Sequence, residues 1–303
     1  MGTAFVILLY HGVTRSQHRG IENYSRKHLM ADEFARQMAT LAERYHVMSF
    51  RELLERKRKA DLPPRTVAVT FDDGFENNYS TAYPILKQYN VPATFFLATG
   101  FIGKERVFWV DKLEYLLNET PQGTIELKML GNRHPLRSLE EREAAVRSIK
   151  QQLKSDSSLV DDVIAELEQV TEVPLAYDYE DYRTMTWDQA REMEASGLCD
   201  FGAHTVDHAI LSHLSTQEQR YQIVNSQSVL QAELNQAVDL FSYPEGQPDH
   251  YSDETIRLLK EAGFVASPSA VFGLNHLSTS NFHLRRNMVG FAASFEECLG
   301  VLS

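Results

Sequence analysis

What most limits the fold of this chain is an alternation. Short apolar runs rich in β-branched and aromatic residues, FVILLYH from Phe5, VAVTF from Val67 and VPATFFLATG from Val91, alternate with stretches whose apolar residues recur at helical spacing, as Phe34, Met38 and Leu41 do in ADEFARQMATLAERY. Runs apolar on both faces read as strands buried on both sides, and strands spaced by helices read as parallel ones. The helix boundaries carry their own signals: Ser49 with Glu52 and Thr186 with Gln189 are capping pairs, and Gly197 and Gly263 close two later helices. Further strands are expected at CDFGAHT, VDLFSYPEG, FVASPS and FHLRRNMVG. No GxGxxG or GxxxxGK[ST] follows the early strands, so an open nucleotide-binding sheet loses its usual support and a (β/α) barrel gains. Chemistry in such a barrel sits at the carboxyl ends of the strands.

The 303 residues, 43% of them hydrophobic, are read as one catalytic domain, 1–303. Within it 103–182 is charged and helix-rich, breaks the alternation, and is expected to be a helical insertion. A formal net charge of −12 disfavours nucleic acid as a partner. The two cysteines, Cys199 and Cys298, are far apart in no metal-binding pattern and are expected to be free thiols. No run approaches the roughly 20 apolar residues of a membrane span. The start, MGTAFVILLYHGV, reads as a strand and lacks the features of an export signal, so a cytoplasmic location is expected for the chain as it stands; a chain trimmed at its start would read the same.

The chemistry is concentrated in two places. TVAVTFDDG ends a buried strand on adjacent carboxylates, Asp72 and Asp73, and leads into a helix and not a returning strand. Two neighbouring carboxylates repel unless a cation or donor lies between them. In GAHTVDH, His204 and His208 stand four apart, and a helical turn between them would send both imidazoles from one face. Two imidazoles and one carboxylate with positions open to water describe a catalytic zinc site, although a non-haem iron oxygenase uses the same set.

These segments resemble the polysaccharide deacetylases, the NodB-like carbohydrate esterases. Thr70, Phe71, Asp72, Asp73 and Gly74 match the family's TFDDG loop, and His204, Thr205 and His208 match its H-[ST]-x-x-H segment. The resemblance implies a distorted (β/α) barrel and one divalent metal, most plainly Zn, with Co, Ni, Mn or Fe as alternatives. It implies Asp73, His204 and His208 as ligands and Asp72 as general base toward metal-activated water. The implied reaction removes an N-acetyl group from an N-acetylated sugar or glycan. Alternatives are a related C–N hydrolase acting on a formylated sugar or a cyclic imide or ureide, and an inactive glycan-binding homologue.

The chain departs from the pattern in two motifs. In FSYPEG, Ser242 stands where the family carries an arginine and Glu245 where it carries a tyrosine, while Pro244 and Gly246 keep the turn. Tyr243 and Glu245 are therefore assigned to substrate and oxyanion binding, with the Glu245 N–H facing the oxyanion. Arg285 or Arg286 is expected to replace the missing charge beside the base. The family's late leucine and histidine motif, which carries the general acid, is also not cleanly matched. His11 is the first choice for general acid, since a subgroup acting on extracellular polymers begins with a similar Tyr-His strand. His283 is the second choice, and His276 a further candidate. Tyr10, Trp109 and Trp187 are considered as sugar-stacking aromatics, with Trp187 better suited to packing.

Overall fold

The computed structural model describes residues 4–174, 176, 179–290, 293–300 and 302. It divides into two compact units.

The larger unit, comprising Met1–Arg15, Arg26–Lys104 and Thr184–Ser303, is built on parallel strands. Ala4–Tyr10, Thr66–Phe71, Ala93–Leu97 and Cys199–Ala203 lie side by side, all parallel. Beyond them the pairing continues as short parallel bridges, Ala203 with Phe241, Leu240 with Ala266, and Pro268 with Leu284. Asn287–Met288 then pairs in parallel with Leu8 and Leu9 of the first strand. The parallel neighbours thus return to where they began, giving an irregular barrel. Its late staves are bridges of one or two residues, where full strands were expected at VDLFSYPEG, FVASPS and FHLRRNMVG. Pro244 and Pro268, which have no N–H to donate, interrupt the ladder there.

Strand alternation sorts the side chains into two cores. Val6, Leu8, Tyr10, Val67, Val69, Phe71, Phe95 and Phe201 point outward to the helices and share a core with Phe34, Met38 and Leu41 of helix Ala31–Arg44. Phe5, Ile7, Ala68, Phe96, Leu240, Ala266 and Leu284 form a separate interior cluster. Register places Tyr10, Phe71, Phe95 and Phe201 level on adjacent strands. Their rings stack in sequence, with Phe71 and Phe95 centroids 4.7 Å apart. With Tyr10 and Phe71 committed outward, the next residues, His11 and Asp72, face the barrel mouth. Tyr10 is therefore a core residue, its hydroxyl donating to Gln37, and is unavailable as a sugar platform. Trp187 is half-buried against the same core. Gly202 is needed for closeness: a Cβ there would come within 2.8 Å of the Leu240 carbonyl oxygen and 2.6 Å of the Phe96 ring.

The smaller unit comprises Ser16–Ser25 and Glu105–Arg183. Helices Trp109–Glu119, Leu139–Ser155 and Val160–Val170 enclose a core of Leu113, Leu116, Ile149, Leu153, Val163 and Leu167. An antiparallel hairpin, Thr124–Leu127 with Asn132–Pro135, adds Ile125 and Leu127 to it. That hairpin was hidden in the sequence by its polar alternate residues. So was the membership of Ser16–Ser25, whose Ile21 is buried in this core and donates its N–H to the Asn118 side-chain oxygen, with Tyr24 packed on the same core. Trp109 packs on this core too.

Cys199 and Cys298 are buried free thiols. Among the described residues no helix is long and apolar enough to cross a membrane.

Candidate active site

The site is assembled at the carboxyl ends of successive parallel strands. His11 follows Ala4–Tyr10, Asp72 and Asp73 follow Thr66–Phe71, His204 follows Cys199–Ala203, and Ser242 is level with it on the next stave. The Asp72 N–H donates to the Tyr10 carbonyl, holding the aspartate loop level with His11. Asp73 adopts φ 75° and Gly74 φ 91°, which turns the chain sharply away from the strand. Aspartate tolerates this left-handed conformation better than most side chains.

Asp73, His204 and His208 present one ligand atom each, all within 4.8 Å of one another. His208 Nε2 lies 3.3 Å and His204 Nε2 3.7 Å from Asp73 Oδ1. The Asp73 Oδ1 atom is buried and has no hydrogen-bond partner among the described residues. His204 Nδ1 lies 2.8 Å from the Ser242 carbonyl oxygen, so the N–H belongs on Nδ1 and the Nε2 lone pair faces Asp73. Burial pushes the His204 imidazole down to about 4, against the pull of Asp72 and Asp73, so it is neutral at pH 7. Burial acts upward on Asp73, but His208, His11 and His204 outweigh it and hold the carboxyl below its ordinary value. A neutral imidazole with its lone pair inward and an ionised carboxylate with an unused oxygen are the protonation states a divalent cation requires. The residues fit the metal that the family pattern implies.

The imidazoles do not converge by the expected helical turn. The segment after His204 is a loop in which Thr205 (φ 65°) and His208 (φ 56°) are left-handed. Its carbonyls at Thr205 and Val206 accept from the Thr99 and Gly100 N–H groups. Ring centroids of the two histidines are 4.9 Å apart.

Asp72 stands beside this triad but is engaged otherwise. Arg286 donates Nη1 to Oδ1 and Nη2 to Oδ2, each at 2.7 Å, a bidentate pair. The guanidinium is completely buried and spends its other donors on the Ser269 carbonyl, Thr70 Oγ1 and Ser242 Oγ. Ser242 Oγ in turn donates to Asp72 Oδ2 at 3.3 Å. Burial alone would raise the Asp72 carboxyl; Arg286 and His204 pull it below the ordinary value instead. Of the two arginines considered, the structure brings Arg286 to the aspartate, while Arg285 is exposed and donates to the Phe272 carbonyl. Ser242, standing where the family has arginine, thus joins the same network as a hydroxyl.

The other sequence candidates divide. His11 lies close enough for Asp73 and Asp72 to raise its pKa, but burial outweighs them and lowers it. Its carbonyl accepts from Asn78 Nδ2. His283 is exposed, 3.2 Å from the Tyr251 hydroxyl. His276 pairs opposite Ala4, at the far end of the first strand from His11, which removes it from the site. The Tyr243 side chain is buried, stacked on Tyr251 at 3.8 Å, and its hydroxyl donates to the Phe282 carbonyl; it is core, and no substrate contact is open to its ring. Glu245 is left-handed at φ 60°, followed by Gly246 at φ 62°, so the turn expected from Pro244 and Gly246 is present.

A parallel α/β barrel thus presents, at the carboxyl ends of its strands, a donor set suited to a divalent ion beside a second, arginine-held carboxylate. Residues 59–267 match the family described as Polysaccharide deacetylase. The chain belongs to that family. Over 99 residues it is 36% identical to the poly-beta-1,6-N-acetyl-D-glucosamine N-deacetylase of Staphylococcus aureus, a match covering 32% of this chain and 33% of that protein. The match thus spans about a third of the length of that relative. Among solved structures it resembles the Streptococcus pyogenes deacetylase PplD in complex with acetate (TM-score 0.65, 21% identity, 100% of both chains). It also resembles IcaB from Ammonifex degensii (TM-score 0.62, 19% identity, 99% of this chain and 97% of that one).

Proposed function

We propose that this protein hydrolyses the N-acetyl amide of a polymeric N-acetylhexosamine, releasing acetate and leaving a free amine on the glycan. The observation that carries the reading is the division of labour between the adjacent aspartates. Asp73 faces two imidazoles, and Asp72 is turned to Arg286 and stays ionised beside them. Asp73, His204 and His208 would hold a divalent cation, which when bound supplies Lewis-acid activation of water and of the amide carbonyl. Asp72 accepts the proton of the attacking water. The Glu245 N–H stabilises the developing oxyanion. His11 relays a proton to the departing amine nitrogen, returning the one that Asp72 takes from the water. The substrate class rests on the named activity of the Staphylococcus aureus relative, a poly-beta-1,6-N-acetyl-D-glucosamine N-deacetylase.

The test is hydrolysis across a panel of substrates, read as acetate from β-1,6-linked N-acetylglucosamine oligomers, chitooligosaccharides and nucleotide-linked N-acetyl sugars, as formate from formylated sugars and as ring opening of cyclic ureides. The β-1,6 oligomers are expected to be deacetylated best. Chelation should abolish turnover and added Zn2+ restore it. Asp73→Ala and His208→Ala should lose bound metal and activity together. Acetate release that persists in exhaustively metal-free protein would sink the reading.

The acid role of His11 is separable from the rest. An amine leaving from an amide needs a proton, whereas an aryl oxide leaving from an activated acetate ester does not. His11→Ala should therefore lower amide turnover by about 10²–10⁴-fold while hydrolysis of an aryl acetate falls far less. Equal losses on both substrates would reassign the residue.

A further inference from the structure

The loop that carries His208 is held at its apex by one side chain from a distant helix. Gln222 lies in helix Thr216–Leu234 and is itself buried, 8% exposed. Its Oε1 accepts from the N–H groups of both Val206 and Asp207, each at 2.9 Å, and its Nε2 donates to Asp207 Oδ2 at 2.7 Å. All three bonds fall on the residues between Thr205 and His208, the two positions where the chain turns left-handed. On its other side the loop is tied through its Thr205 and Val206 carbonyls. Nothing in the regular hydrogen bonding of a helix or strand fixes this segment, because it is neither.

We propose that Gln222 is a positioning residue for the metal centre: it fixes the approach of the His208 imidazole to Asp73 and so sets metal affinity. The inference rests on the metal reading of Asp73, His204 and His208 given above. His204 needs no such device. It directly follows a strand, its N–H donates to the Leu97 carbonyl at 3.0 Å, and its ring is oriented by Ser242. His208 is four residues further along, and its backbone conformation costs free energy for a residue with a Cβ. An amide carbonyl that gathers two consecutive N–H groups compensates that cost and selects one loop geometry. Without it, two partly buried donors lose their acceptor and the loop has reason to relax toward ordinary dihedral angles, carrying the imidazole with it.

The experiment is a Zn2+ titration against a chromophoric chelator, with the visible spectrum of the Co2+-loaded protein as a second readout of coordination. Gln222→Leu is expected to weaken Zn2+ binding by about 10- to 100-fold and to change the Co2+ spectrum. Gln222→Glu keeps the acceptor but sets a carboxylate against Asp207, and should also weaken binding. The double variant Gln222→Glu/Asp207→Asn exchanges donor for acceptor across the same contact and should restore affinity to within a few-fold of the original. Gln227→Leu is the control for helix damage. Gln227 also bridges backbone, donating to the Val238 and Ala262 carbonyls, away from this loop, so its loss should lower stability and spare the metal constant.

Unchanged Zn2+ affinity and Co2+ spectrum in Gln222→Leu would overturn the proposal. If that variant does not fold, the Glu single and the double variant decide: no recovery in the double also overturns it. The unmodified protein and His208→Ala are titrated alongside. Failure of that pair to differ would remove the metal reading and the clamp together, whereas a difference there without an effect at Gln222 removes only the clamp.

Discussion

Asp72→Asn is expected to bind Zn2+ within a few-fold of the unmodified protein and to lose about 10²–10⁴-fold in kcat. The substitution keeps shape and removes the charge and with it the capacity to accept a proton. Asp72 is adjacent in sequence to the proposed ligand Asp73, yet their carboxylates serve different partners. Both lie near His204 Nε2, Asp72 Oδ2 at 3.8 Å and Asp73 Oδ1 at 3.7 Å, but Asp73 also approaches His208 Nε2 at 3.3 Å, whereas both Asp72 oxygens already accept from Arg286. An asparagine there leaves Arg286 short of one acceptor and uncompensated in charge, so the variant should also melt earlier. For that reason kcat has to be measured below its melting transition, with metal content checked on the same sample. Normal turnover in metal-replete Asp72→Asn would show that another group takes the proton.

How far these assignments were open to a reader of the sequence varies with the physics behind each. Asp72 and Asp73 were legible because a strand buried on both faces makes a following pair of charges conspicuous. His204 and His208 were legible by spacing, but the reason was wrong. A helical period was assumed, whereas left-handed residues at Thr205 and His208 bring the rings together. No local rule reveals that, since neither position is glycine. The choice between Arg285 and Arg286 was recoverable. Along FHLRRN the strand period of two places Leu284 and Arg286 on one side and His283 and Arg285 on the other. The structure buries the first pair and exposes the second. Gln222 carried no signal, being a polar residue in a helix whose partners lie fifteen and sixteen positions earlier. The late staves were located but read as full strands where the chain makes single bridges, and the anchoring of Ile21 was missed because a short loop with few apolar residues has no periodicity to read.

Replacing Arg286 should be the most damaging single change in the larger unit, and its pH dependence identifies the cause. Arg286→Met fills a comparable volume with an apolar chain but strands the buried Asp72 carboxylate, a loss of about 3–5 kcal/mol for a broken buried pair. Burial, which already acts to raise the Asp72 pKa, is then opposed by much less, so the folded-state value climbs from below the ordinary 3.8 to above it. The sign of the linkage reverses with it. In the unmodified protein the lowered carboxyl contributes stability that is present above the unfolded value and disappears as pH falls through the folded one. In the variant the folded state binds the proton more tightly than the unfolded chain, so its stability declines as pH rises above about 4. The gap in melting temperature between the two proteins should therefore be widest near neutral pH and narrow steadily on acidification. The same shift predicts that the acidic limb of kcat moves to higher pH in Arg286→Met. Arg286→Lys should recover only part of either effect, because one ammonium cannot bond both carboxylate oxygens, the Ser269 carbonyl and the Ser242 hydroxyl as the guanidinium does. A melting gap independent of pH would mean that Arg286 matters through packing alone, with no electrostatic hold on Asp72.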